Sequence, residues 1–197
     1  MSQTHTRVSL AYQDLSELPM EFMLKYGDWL DELDLTYNRI SDLRFLSHFP
    51  LLSTLILDHN TIRSHIKLPV MSDLHTLWLN HNKVENLGVF IYSIAKSCPK
   101  LKYLSLMNND AAPSYFNGGT YQQYVDYRQY VISQIPTLEI LDDKCITDEE
   151  RGEAEKIYQR AILQSNRRAK RVLIVRLFRT RYRYDSWKSK TRPRPKR

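Results

Sequence analysis

The sequence predicts an α/β solenoid: a right-handed, curved parallel sheet of about six short strands, closed by a C-terminal cap and followed by a helical, basic tail. Three observations carry this expectation. A phrase recurs with a fixed beat: Leu30-x-x-Leu33-x-Leu35-x-x-Asn38-x-Ile40, then Leu52-x-x-Leu55-x-Leu57-x-x-Asn60-x-Ile62, then Leu74-x-x-Leu77-x-Leu79-x-x-Asn82-x-Val84, each copy starting 22 residues after the last. The beat then lengthens to make room for helices. Finally, the charge changes sign near residue 160.

The phrase is the leucine-rich repeat. Its four apolar positions point into a shared core that one copy cannot bury and neighbouring copies complete. The asparagine is expected to satisfy backbone groups at the bend after the strand, beyond the reach of the sheet ladder. Residues 1–29 read as an N-terminal cap with a degenerate first copy: Val8, Leu10 and Leu15 fit, and Gln13 replaces the asparagine. Residues 30–110 carry the regular repeats. The last of these, Leu101-x-x-Leu104-x-Leu106-x-x-Asn109, starts 27 residues after Leu74, and the added length places Leu87, Phe90, Ile91, Ile94 and Ala95 at the spacing of one helix face. Residues 111–151 hold the final repeat and the cap. Leu138-x-x-Leu141 follows 37 residues after Leu101, behind a loop with Pro113, Gly118 and Gly119 and a helical pattern through Tyr124, Tyr127, Val131 and Ile135. Thr147 and Glu150 make a capping box that opens a helix near residue 148. Without a cap, the last strand would leave an open edge and exposed leucines.

The formal charge of +7 conceals a division. Through residue 159 there are 14 Lys+Arg against 21 Asp+Glu, and from Arg160 onward 15 against Asp185 alone, so balances of −7 and +14 recover the total. Cys98 and Cys145 fall on different elements, the first residues are polar, and no apolar run approaches a membrane span. The expected compartment is therefore a reducing one. The cytoplasm is favoured, with peripheral contact to endosomal or organelle membranes left open and the nucleus as the alternative.

Side chains between the buried leucines of a strand line the inner surface. The central column is Ser9, Asp34, Ile56, Trp78, Ser105 and Asp142. Glu32 and Tyr103 belong to the column before it, Asp58, Asn80 and Met107 to the one after, and Tyr12, Tyr37, His59 and His81 to the next. Ile56, Trp78, Tyr103 and Met107 are expected to form one apolar-aromatic patch bordered by Glu32, Asp34 and Asp58. An exposed tryptophan among apolar neighbours has the composition of a binding hot spot. The candidate partner-binding residues are thus Tyr12, Asp34, Tyr37, Ile56, Asp58, His59, Trp78, His81, Tyr103 and Met107. The plainer alternative is a tryptophan covered by the tail or simply left exposed. His59 and His81 are expected to stack about 5 Å apart, one strand spacing. A zinc site needs three or four converging ligands, and spacing brings only Asp58 and Asn80 near. The histidines therefore read as members of an aromatic column with Tyr12 and Tyr37, and no metal or cofactor is assigned.

Residues 152–197 read as a helix and a basic tail, partly disordered. Arg167, Arg168, Lys170 and Arg171 form one cluster; after an apolar run, Arg179, Arg181 and Arg183 alternate with Thr180, Tyr182 and Tyr184 as in a strand. Such a composition suits RNA phosphates and stacking, anionic lipid, or nuclear import. Equally, the run 172–178 can pack on the solenoid while the arginines stay solvated.

Nothing in the sequence supports catalysis. Gly118-Gly119 lacks the Lys-Ser/Thr of a phosphate loop, and no nucleophile elbow or His-Glu-x-x-His is present. Cys98 ends an outer helix and reads as a buried structural thiol.

Two resemblances follow from these words. Tyr127-Arg128, Val131, Ile135-Pro136, Leu138, Leu141-Asp142, Ile146-Thr147 and Glu150-Arg151 resemble the C-terminal cap of a leucine-rich subfamily that includes the spliceosomal U2 A-prime protein and the acidic nuclear phosphoproteins. That cap, together with Leu68-Pro69, residues 74–80 and residues 101–108, is similar to the family of the leucine-rich melanocyte differentiation-associated protein, over roughly residues 30–155. The second resemblance implies a non-enzymatic adaptor in vesicle trafficking and biogenesis of lysosome-related organelles such as melanosomes. A Rab-type small GTPase and endosomal recycling machinery are the implied partners. The first implies the alternative: a nuclear ribonucleoprotein component that cradles an RNA-binding-domain protein, its tail touching RNA. The chain departs from the melanocyte family at its end, Arg194-Pro195-Lys196-Arg197, where the family carries an acidic, leucine-terminated peptide.

Overall fold

Seven short strands pair in chain order into one sheet: β1 (Arg7–Ser9), β2 (Glu32–Asp34), β3 (Thr54–Ile56), β4 (Thr76–Trp78), β5 (Tyr103–Ser105), β6 (Ile140–Leu141) and β7 (Lys144–Cys145). The computed structural model describes residues 6–114 and 117–158. The chain divides into two units, Met1–Ala154 and Glu155–Arg197. The first holds the whole sheet, and in the second residues 155–158 are helical. The tail residues Arg167, Arg168, Lys170, Arg171, Arg179, Arg181 and Arg183 lie outside the described residues, as does the predicted strand at 179–184.

The six parallel strands are those the repeat phrase predicts, in the register it dictates. Val8, Leu33, Leu55, Leu77 and Leu104 align across the sheet, and Ser9, Asp34, Ile56, Trp78 and Ser105 align beside them. Leu33, Leu55, Leu77 and Leu104 are buried with the leucines on either side of them. Because side chains alternate, their strand neighbours face the opposite, inner surface. The seventh strand lies outside the repeat phrase. It turns back antiparallel on β6 and covers the edge that the last parallel strand would expose.

The repeat asparagine earns its place through hydrogen bonds. The Oδ1 of Asn60 accepts the N–H of Ile40 at 2.8 Å, and its Nδ2 donates to the carbonyls of Leu35 at 2.9 Å and Leu57 at 3.1 Å. Asn82 does the same with Ile62, Leu57 and Leu79, and Asn109 with Val84, Leu79 and Leu106. Asn38 joins Leu15, Leu10 and Leu35 in the degenerate first turn. Each amide bridges two turns of the coil, so backbone groups at the bend stay paired although buried.

Helices cover the other face of the sheet. α2 (Leu87–Ser97) opens on Asn86, whose side chain accepts the N–H of Val89, and it buries Phe90, Ile91 and Ile94 as its spacing predicts. α3 (Tyr121–Gln134) opens on a full capping box between Thr120 and Gln123 and buries Tyr127, Val131 and Ile132. Two elements have no periodic signal because they are short: α1 (Met20–Tyr26) and a 3-10 helix at Arg44–His48. They meet through Phe22 and Phe49, with ring centroids 6.1 Å apart.

The cap is a lock built on Arg128. This guanidinium, from the middle of α3, is 3% exposed, pairs with both oxygens of Glu150 at 2.5 and 2.9 Å, and donates to the carbonyl of Leu141 at 3.0 Å. Arg151 holds the carbonyls of Pro136 and Leu138. The N–H of Glu150 donates to Thr147 Oγ1 at 3.2 Å, and residues 148–158 are helical, as the Thr147–Glu150 spacing predicts.

Candidate functional site

Past each inner-face strand the chain bends through a residue with positive φ: Tyr12 at 59°, Tyr37 at 55°, His59 at 53°, His81 at 54° and Asn108 at 59°. Such left-handed backbone is uncommon for side chains other than asparagine, aspartate and histidine, and it recurs here because neighbouring turns hold it. Tyr12, Tyr37, His59 and His81 each donate a backbone N–H to the next turn, to Thr36, Asp58, Asn80 and Met107 respectively, at 2.9–3.0 Å. The side chains are thereby stacked in one pile. Ring centroids are 4.6 Å apart for Tyr12–Tyr37, 3.9 Å for Tyr37–His59 and 4.0 Å for His59–His81, and the Nδ2 of Asn108 lies 3.0 Å from the Nε2 of His81. The two imidazoles are nearly parallel, 11° apart. Their in-plane lone pairs run side by side and do not converge on a point where an ion could sit. Burial, then the neighbouring His81, holds the His59 imidazole below its usual pKa, against the pull of Asp58.

The acidic border is largely consumed within the protein. The Oδ1 of Asp34 accepts both the N–H and the hydroxyl of Thr36, and its Oδ2 accepts from Ser9. Burial raises this carboxyl, but the Thr36 and Ser9 hydrogen bonds and Arg7 outweigh it and leave it below the ordinary range. Arg7 also meets Glu32 at 3.3 Å. Asp58 receives the backbone and side-chain N–H groups of Asn80 at 2.8 and 3.2 Å, and Asn80 Oδ1 in turn accepts from Ser105 Oγ at 2.6 Å and the Met107 N–H at 2.9 Å. Asp34 and Asp58 therefore tie one turn to the next, a role that the strand period does not reveal.

Trp78 stands apart from this network. It is 43% exposed, beside half-buried Ile56 in register on β3, and among the described residues its indole N–H meets no acceptor. On the other side its partner in register is the small, buried Ser105, which separates Tyr103 from Met107. Met107 is 39% exposed. Tyr103 is half-buried, and its hydroxyl donates to Glu139 at 3.4 Å. The four apolar residues share the inner face: Ile56 and Trp78 lie side by side in register, and Tyr103 and Met107 stand two residues to either side of Ser105, the next partner of Trp78.

Next to Met107 and Asn108 opens a pocket of about 550 Å³, walled by Tyr121 and Tyr124 of α3, by Pro113 and by Asp142, Asp143 and Lys144. The Lys144 ammonium lies 5.1 Å from the centre of the Tyr124 ring. Asp142 is held from inside: Oδ1 accepts the Leu106 N–H at 2.8 Å and Oδ2 accepts the hydroxyl of buried Tyr127 at 3.0 Å. Burial raises its carboxyl in spite of those bonds. The pocket joins residues from two elements and two loops, so no single stretch announces it. The Gly118-Gly119 pair was the available signal. Gly118 has φ of 79°, and a Cβ on Gly119 would lie 2.8 Å from that of Pro113; Gly119 lines a wall of the pocket.

A sequence model of the leucine-rich repeat family matches residues 21–172. The chain belongs to that family. This leucine-rich repeat protein is 37% identical over 127 residues to the human leucine-rich melanocyte differentiation-associated protein, an alignment covering 62% of this chain and 64% of that one. It is 35% identical over 133 residues to the U2 small nuclear ribonucleoprotein A' of Arabidopsis thaliana, covering 66% of this chain and 49% of that one. It is thus related to both groups, and it spans about half to two thirds of the length of the curated relatives it matches. Among solved structures it resembles a chain of the Drosophila melanogaster SNF/U2A' complex, with a TM-score of 0.62 and 22% identity over 81% of this chain and 87% of that one, which establishes the shared solenoid fold.

Proposed function

We propose that the chain is an adaptor without catalytic function, and that it grips a protein partner on its inner face around Trp78. A single observation supports this most: the face satisfies its polar groups internally yet leaves a tryptophan 43% exposed beside Ile56. Aromatic side chains of this kind dominate binding energies. A trafficking role in the cytoplasm, with a Rab-type small GTPase or an endosomal complex as partner, is what the resemblance to the melanocyte family implies, and the 37% identity to the human protein supports that resemblance. In this reading residues 30–151 present most of the docking face, and 152–197 carry the cationic excess of the sequence. Tyr12, Tyr37, His59 and His81 supply a rigid rim, while Asp34 and Asp58 act as internal braces.

The test is direct binding of the full chain to purified Rab-type GTPases loaded with a GTP analogue. Trp78→Ala is expected to weaken the complex by about 2–4 kcal/mol, the range of a strong hot spot, with the melting temperature unchanged. No binding across the panel, or binding indifferent to Trp78→Ala, would sink the proposal.

A second reading has its own observation. The similarity to U2 A' proteins, and to a chain solved in complex with SNF, supports a nuclear ribonucleoprotein role in which the same face receives an RNA-binding-domain protein. Imaging a tagged full-length chain separates the two: cytoplasmic puncta favour the first, nucleoplasmic signal with salt-sensitive RNA retention the second.

A further inference from the structure

The outer side of the solenoid carries a groove of about 690 Å³ between the 3-10 helix, the segment 66–70 and α2. Its floor is apolar, built from Ile66, Leu68, Pro69, Val70 and Tyr92, and Val70 and Tyr92 are 70% and 67% exposed. Its rim is cationic: Arg44, Lys67 and Lys96 line it, and no carboxylate does. This is the reverse of the surrounding balance, since residues 1–159 carry 21 carboxylates against 14 cations. Arg44 is paired with Asp42 at 2.5 Å. Lys67 and Lys96 have no carboxylate within ion-pair distance among the described residues. The wall is anchored to α2, where Ser97 Oγ donates to the carbonyl of Leu68 at 3.1 Å and the carbonyl of Ser97 accepts the N–H of Met71 at 2.7 Å. The backbone N–H groups of Ile66, Lys67, Leu68 and Val70 nevertheless make no hydrogen bond among the described residues.

We propose that this groove docks a short acidic peptide segment of a partner protein. An apolar side chain of the peptide seats between Val70 and Tyr92, and its carboxylates meet Lys67, Lys96 and the outer edge of Arg44. The unpaired backbone donors of the segment 66–70 add hydrogen bonds to carbonyls or carboxylates laid along it. Charge complementarity selects the sign of the occupant, and the apolar floor selects a peptide over a bare anion. An anionic membrane is the poorer fit: recognition of that kind uses clusters of about 4–8 cations, and only Arg44, Lys67 and Lys96 line this groove. The groove lies on the face opposite Trp78, so occupancy here is independent of a partner on the inner face.

The experiment uses the full-length chain and a fluorescein-labelled dodecapeptide with a central Leu-Phe pair flanked by Asp and Glu. Anisotropy is expected to rise saturably and to fall with added salt. The double variant Lys67→Glu/Lys96→Glu, at two exposed positions, is expected to weaken binding at least tenfold. Val70→Asp is expected to do the same by a different route, with circular dichroism unchanged in both. The arginine-rich tail also attracts acidic peptides, so a control peptide with Gly in place of Leu-Phe is included. Equal binding of the control, or unchanged binding to the two groove variants, overturns the proposal. So does binding of phosphatidylserine vesicles that depends on Lys67 and Lys96 when the peptide does not bind.

Discussion

The imidazole of His59 lies flat on that of His81, with centroids 4.0 Å apart. Tyr37 covers the other side of His59 at 3.9 Å, so both faces of this half-buried ring are covered and a positive charge on it is less well hydrated.

That enclosure predicts a pH dependence. His59 is held below its ordinary pKa of 6.5 by burial first and by His81 second. A base with a depressed folded-state pKa favours the folded state while neutral. Its contribution is complete above about pH 6.5 and is lost as pH falls from there through the folded-state value. Urea unfolding at pH 7.5 and pH 5 is expected to show the chain less stable at the lower pH. His59→Asn, which accepts the left-handed backbone and does not titrate, is expected to narrow that difference. An equal difference in the variant would refute the assignment.

Asn60→Ala strands the buried N–H of Ile40 and takes one of two donors from the carbonyls of Leu35 and Leu57, which keep Asn38 and Asn82. An unsatisfied buried group costs about 1–3 kcal/mol, so a loss of about 2–3 kcal/mol is expected. The denaturation midpoint reads this directly. Asn60→Leu should not rescue it, because the missing partners are polar.

Removing the carboxylate of Glu150 leaves Arg128 buried with only carbonyl partners. Breaking a buried pair from one side costs about 3–5 kcal/mol, and Glu150→Gln is expected near the lower end because the Glu150 side chain is 26% exposed. The Arg128 hydrogen bond, working against burial, holds this carboxyl below its ordinary 4.5. Its stabilisation is therefore present above about pH 4.5 and disappears as pH falls through the lowered value. Acid unfolding of the wild type should be steeper in that window than that of Glu150→Gln.

Burial pushes the Cys98 thiol up to about 12, whereas Cys145 is exposed. The thiolate is the reactive form. With Ellman's reagent at pH 8, one of the two cysteines is expected to react promptly and the second only after unfolding. Two prompt equivalents would place Cys98 outside the core.

Much of the fold was legible because its constraints are periodic. Leu33, Leu55 and Leu77 recur at one interval, so their burial and the alignment of Asp34, Ile56 and Trp78 follow without coordinates. Gln13, in place of the usual asparagine, marked the blurred first turn, and Tyr127, Arg128, Asp142 and Glu150 marked the cap. The short α1 escaped because seven residues give too little period to read. The return strand β7 is shorter still.

The sequence by itself determined the winding, the strand register and the set of side chains facing inward, since a repeated leucine–asparagine phrase encodes neighbour relations by interval alone. Only the tertiary structure decided which of those inward residues are already engaged. Asp34 spans to Ser9 and Thr36 and Asp58 to Asn80, while Trp78 is left open. It also decided that Arg44, Lys67 and Lys96 gather around one outer groove. The physical reason is the same in each case: hydrogen bonds and charge clusters depend on where side-chain ends meet across turns, and no interval along the chain records that.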